Sequence, residues 1–156
     1  MPDAALYKVA YDEAVRALSE QQAAIESVRT RAGLLLSAAA VTTSFLGAQA
    51  LQAGSSGSFS WLALLTFVAV ATTSLAILWP RRWEFTANPR RVVTGFIESA
   101  EGIRLEDLHR DLSLHMHGSY LVNHQGLKEL ALLFQAASGL LTLEVVLWIA
   151  AIAAAL

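Results

Sequence analysis

The chain has 156 residues, 55% of them hydrophobic and only 15% charged, with four His, no Cys and a formal net charge of −2; its mean hydropathy is +0.49. Soluble domains average roughly 25% charged residues, so this composition points to an integral membrane protein. No basic field is available for nucleic acid, and without Cys there is neither a disulfide framework nor a thiolate nucleophile.

The first segment, Asp3 to Arg31, contains Asp3, Asp12, Glu13, Glu20 and Glu26 and no apolar stretch of the kind a signal peptide needs. Ala4, Tyr7, Tyr11, Ala14, Leu18, Gln21, Ile25, Val28 and Ala32 recur in steps of three and four, the spacing of one helix face. Ala10, Ala17 and Ala24 flank this seam and let a neighbouring helix approach closely. The seam has few bulky anchors and its polar face is largely acidic, which favours packing against another helix over lying on lipid headgroups. Neither Pro nor Gly interrupts it before Gly33, so the helix is expected to run straight on into the apolar residues beyond Arg31.

From Ala32 to Pro80 there is no Asp, Glu, Lys or Arg. About 20 apolar residues suffice to cross bilayer hydrocarbon. The run therefore reads as two crossings, Ala32 to Gln52 and Phe59 to Trp79, joined by a tight turn through Gly54 and Gly57. Phe59 and Trp61 are expected in an outer aromatic belt, Trp79 and Trp83 in an inner one, with Pro80 ending the helix. Asn88 before Pro89 predicts a helix start, a short helix to about Ser99 and a break at Glu101-Gly102. A longer helix is expected from near Leu105 into a third apolar segment, Leu130 to Leu156, whose only charge is Glu144.

The expected fold is thus an all-α membrane protein with three transmembrane helices. Its parts are an N-terminal cytosolic amphipathic helix (1–31), a transmembrane hairpin (32–80), a cytosolic helical segment (81–129) and a C-terminal transmembrane helix (130–156). Every Lys and Arg precedes the first crossing or lies between the second and third. The positive-inside rule then places the N-terminus in the cytoplasm and the C-terminus outside. Arg81, Arg82, Arg90 and Arg91 read as lipid-headgroup anchors beside the membrane.

Three features could carry function. Gly33, Ser37, Ala40, Ser44 and Gly47 form a small-residue stripe on the first crossing, suited to close helix packing. The simpler expectation is that it packs on the second crossing of the same chain; the alternative is a contact between copies. A polar layer recurs near mid-membrane: Thr42 and Thr43 in the first crossing, Thr72 and Thr73 in the second, and Gln135, Ser138 and Thr142 on one face of the third. Ser and Thr can bond back to their own helix carbonyls, so ordinary helix-to-helix adhesion competes with pore lining for this layer. Glu144 is the sharper signal, because an ionisable group within a crossing is a functional candidate by default. No Lys or Arg lies in any crossing to pair with it. It is expected to be protonated, bonded to Ser or Thr, or facing water in a pore or vestibule.

His109, His115, His117 and His124 lack the i,i+4 spacing of a helical zinc pair, so no metal site is expected. No glycine-rich phosphate loop, nucleophile elbow or catalytic pairing is present either, which points away from an enzyme and from a cofactor.

The layout has a resemblance. A first helix ending in Gln21-Gln22-x-x-Ile25-x-x-Val28-Arg29-x-Arg31-Ala32-Gly33-Leu34-Leu35-Leu36 is followed by a tight two-helix hairpin. A helical stretch with Asn123-x-x-x-x-Lys128 and a last apolar helix come after it. This resembles the small bacterial membrane effectors of nucleotide-signalled antiphage defence, the SLATT and Pycsar transmembrane effector groups. The resemblance implies a multi-pass protein of the bacterial inner membrane that oligomerises and breaches the bilayer on a nucleotide signal. The residues themselves agree with a homo-oligomer that forms or gates a pore. The alternative is a non-conducting scaffold whose cytosolic helices dock a partner protein.

Overall fold

A computed structural model describes residues 4–54, 57–85, 93–94 and 104–155. Among them are three α-helices: α1, Ala4–Gln52; α2, Ser58–Leu78; and α3, Leu105–Ala153. All three are long and apolar enough to cross a membrane. The expected Asn88–Pro89 helix start, the short helix to Ser99, the Glu101-Gly102 break and the anchors Arg90 and Arg91 lie outside the described residues.

Helix boundaries follow local chemistry. α1 runs without a break past Arg31, as the uninterrupted pattern requires. It ends where Gly54 takes a left-handed φ of +76°, with the Ala53 amide donating to Gln49 O at 3.0 Å. Only Gly enters that region without steric cost, so Gly54 closes the helix. α2 stops at Leu78 because Trp79 precedes Pro80 and takes an extended conformation, ψ 132°, while its amide still donates to Leu75 O. α3 opens with Glu106 and Asp107 in its first turn, where acidic groups complement the helix dipole.

The chain divides into two compact units, one of Met1–Ile25 with Arg81–Lys128 and one of Glu26–Pro80 with Glu129–Leu156. The sequence segments 1–31 and 81–129 thus contribute most of one unit, and 32–80 with 130–156 most of the other.

In the first unit, α1 and α3 run parallel. Tyr11 stacks on His109 with centroids 5.4 Å apart, and Gln21 Nε2 donates to Tyr120 O at 3.0 Å. Leu18, Gln21 and Ile25 are buried, which makes the predicted seam the contact face. The extended residues 81–85 are strapped onto α3. The Asn123 amide closes a two-bond ring on the backbone of Glu84: Glu84 N–H donates to Oδ1 at 3.1 Å, and Nδ2 donates to Glu84 O at 2.8 Å. Asn123 is buried, as is Ser119, whose hydroxyl reaches Glu84 Oε2 at 3.5 Å. Trp83 lies half-buried over Gly126. A Cβ at position 126 would stand 2.8 Å from Trp83 Cζ3 and 2.9 Å from Cη2. Gly126→Ala must therefore displace the ring and is expected to cost about 1–3 kcal/mol. A chemical-denaturation midpoint unchanged by that substitution would show that the strap does not rest there.

In the second unit the three helices enclose two apolar layers. One joins Leu35 and Ala39 of α1, Val70 of α2 and Ala137 of α3, with Phe67, Phe134, Leu140 and Leu141 around them. The other joins Ala50, Ala63, Trp148 and Ala151, with Leu46, Leu147 and Ile152 packed against it. Ala at most of these core positions brings the backbones close enough for dispersion to hold helices in lipid. At 1.5 Å per residue, residues 26–52 of α1, all of α2 and residues 129–153 of α3 each extend about 30 Å or more, the thickness of bilayer hydrocarbon.

Candidate functional site

The second unit also holds the chain's most unusual polar group. Glu144 is completely buried, at 0% exposure. The Thr43 hydroxyl of α1 donates to its Oε1, and Trp148 Nε1 approaches the same hydroxyl oxygen at 3.4 Å. Glu144 Oε2 is buried without a hydrogen-bond partner among the described residues. Two helices therefore meet through a chain from indole to hydroxyl to carboxyl.

Backbone register explains the arrangement. Leu130, Ala137, Glu144 and Ala151 are all buried and stand seven residues apart, so within this unit α3 turns one stripe inward. Trp148 fits because Gly47 faces it: a Cβ there would meet Trp148 Cη2 at 3.2 Å and Cζ2 at 3.4 Å. Beside this contact lies a cavity of about 330 Å³, lined by Thr43, Ser44, Gly47, Ser60, Leu64 and Trp148 among others.

The predicted polar layer separates into two classes. Thr43 and Glu144 come together. Thr72, Thr73, Ser138 and Thr142 each donate to the carbonyl four residues earlier in their own helix, at 2.8–3.1 Å. Such back-bonding satisfies a hydroxyl without a second helix. Thr42 is half-buried; Thr72, Gln135 and Thr142 are exposed on the outer surface of the unit. Within one chain Glu144 faces the helix interior and not water, whereas Gln135 and Thr142 face outward.

The small-residue stripe also departs from expectation. Ser37, Ala40 and Ser44 are exposed, Gly33 is half-buried and only Gly47 is buried. The stripe does not pack on the second crossing, because α1 turns the neighbouring face inward, through Ala32, Leu35, Ala39 and Ala50. Those positions continue the N-terminal seam and are small enough to admit close neighbours themselves. Of the anchors, Arg81 is half-buried and Arg82 exposed. Among the described residues no group of three or more His, Asp or Glu side chains gathers.

Reading the sequence missed Trp148, Gly126 and the strap held by Asn123. A signal was present for Asn123 and Glu144, since their seven-residue spacing through Leu130 and Ala137 is visible in the sequence. Compared with known protein families, curated proteins and solved structures, the chain matches none.

Proposed function

We propose that this chain is the subunit of an oligomeric membrane protein that forms or gates a pore. In this reading the N-terminus lies in the cytoplasm and the C-terminus outside, as the one-sided Lys and Arg favour. The observation that carries it is Gln135, a primary amide on the outer surface of a span whose exposed residues are mostly apolar. Hydrocarbon cannot satisfy an amide's donors and acceptor, so Gln135 calls for a neighbouring subunit or for water. Ser138 and Thr142 continue its face, and Ser37, Ala40 and Ser44 leave α1 a smooth exposed face on which a second copy can seat. Glu144 is then a packing group inside each subunit and does not line the conducting path. A membrane-disrupting defence effector of the bacterial inner membrane is the role this assembly would serve, with a nucleotide signal as its trigger.

The test is ion leak from vesicles reconstituted with the full chain, read beside its oligomeric state in nanodiscs. Wild type is expected to be oligomeric and leaky, and Gln135→Leu to remain oligomeric while losing most of the leak. A strict monomer, or a leak indifferent to Gln135→Leu, sinks the reading. A non-conducting scaffold is favoured instead by a second feature. In the first unit, Val15, Leu18, Ser19, Gln22, Phe85 and Met116 line a cavity of about 180 Å³ where an apolar side chain of a partner protein could insert. A scaffold gives an oligomer or monomer that never leaks.

A further inference from the structure

The geometry points to Glu144 as the binding site of a single exchangeable proton, reached from the cavity lined by Thr43 and Trp148. Three observations meet there. First, the carboxyl is met only by neutral donors, the Thr43 hydroxyl and the Trp148 indole, and its Oε2 is sealed without a partner among the described residues. A carboxylate buried in this way needs a cation or several donors to be tolerated.

Second, no counter-charge is available from any packed element. From Ala32 to Leu78, across both crossings of the hairpin, there is no Asp, Glu, Lys, Arg, His or Tyr, and from Leu130 to Ala153 only Glu144 itself. One carboxyl and one hydroxyl are also too few oxygens for a hard metal cation, which takes about six or more. A proton is the ligand that suits this donor set.

Third, there is a route. Thr43 lines the 330 Å³ cavity and donates to the carboxyl, while its oxygen is approached by Trp148 Nε1. A hydroxyl both donates and accepts, so it can pass a proton from water in the cavity to Glu144. In the exchange step the carboxyl turns its protonated oxygen to Thr43 and passes its proton to the Thr43 oxygen as the Thr43 proton moves to a cavity water, leaving a carboxylate and a hydronium. The reverse step, with another proton of that water, restores the neutral acid, so no charge stays on Thr43.

This site stands independently of pore formation, and its test needs no conductance. The full chain in lipid nanodiscs is examined by infrared spectroscopy at about neutral pH. The expected result is one carboxylic-acid carbonyl band that Glu144→Gln removes and that shifts when the sample is moved into deuterated water. Thr43→Val keeps the side-chain shape but removes the relay, and Ala48→Leu, at a residue that also lines the cavity, narrows it. Each is expected to slow the shift roughly tenfold, the scale of one lost hydrogen bond. Absence of an acid band in wild type overturns the proposal without reliance on any variant folding. A band that never exchanges overturns the exchangeable site, and one that exchanges equally fast in both variants overturns the route.

Discussion

Trp148→Ala is expected to destabilise the second unit more than any other single truncation in its interior, and Gly47→Leu, harmful alone, to recover part of the loss. Trp148 is buried among Ala50, Ala63 and Ala151. Its removal leaves a void between three backbones that small residues already hold close. Trp-to-Ala truncations in soluble cores cost about 3–5 kcal/mol. Lipid tails are as apolar as the protein interior, so the share of that figure due to leaving water falls away and the packing share remains. The expected cost is therefore near the lower end, about 3 kcal/mol. Gly47→Leu drives a branched side chain into the ring edge, where even a Cβ would stand 3.2 Å from Cη2. Overpacking of that kind costs about 1–3 kcal/mol. In the double variant the new Leu occupies space the indole vacated, so the costs do not add. Unfolding titrations of wild type, both single variants and the double variant in micelles should give a coupling of about 1 kcal/mol or more. Additivity would show that Gly47 and Trp148 do not share that space.

Asn123→Ala is expected to release the strap at residues 81–85. Both bonds of the amide ring to Glu84 vanish together. Glu84 is exposed as a residue, so water can replace much of what is lost. The cost is then about 1–3 kcal/mol in total and not that amount for each bond. The direct measurement is hydrogen exchange at the Glu84 amide, which loses its protection. Asn123→Asp separates the bonds from the packing. Its carboxylate still accepts from the Glu84 N–H but sets a second oxygen against the Glu84 carbonyl. It is expected to be no better than Ala. Full protection of the Glu84 amide in Asn123→Ala would mean that the strap is held by other contacts, such as Trp83 over Gly126, and not by the amide ring.

Much of the helix layout was legible because its causes are local. Gly54, and Pro80 after Trp79, stop helices by backbone sterics, and an uninterrupted heptad seam lets α1 run on without a break. The face of α1 was legible as well: the seam from Tyr7 to Ala32 is the face that packs, and Leu18, Gln21 and Ile25 lie buried on it. Of the two expectations for the small-residue stripe, packing within the chain is met only at Gly47, while Ser37, Ala40 and Ser44 stay exposed. Two adjacent faces of α1 were both small enough to pack, and only the position of its neighbours chose between them. The packing partner of Trp83 was not legible, because its distance from Pro80 says nothing about which helix it meets. Its place over Gly126, far along the chain, depends on how residues 81–85 return along α3.

Composition alone determined that the chain carries three segments able to cross a bilayer, since hydrocarbon's exclusion of charge acts residue by residue. It also determined that Glu144 would be the ionisable group with no cation in any crossing to answer it. Only the tertiary structure decided what answers it instead. Thr43 was one of several equivalent hydroxyls in the sequence, and Thr72, Thr73, Ser138 and Thr142 settled on their own carbonyls. Thr43 alone of these turned to the carboxyl, because the parallel register of α1 and α3 brings residues 101 positions apart face to face. A hydroxyl's partner is set by which helix stands beside it, and that is a property of packing that no local pattern encodes.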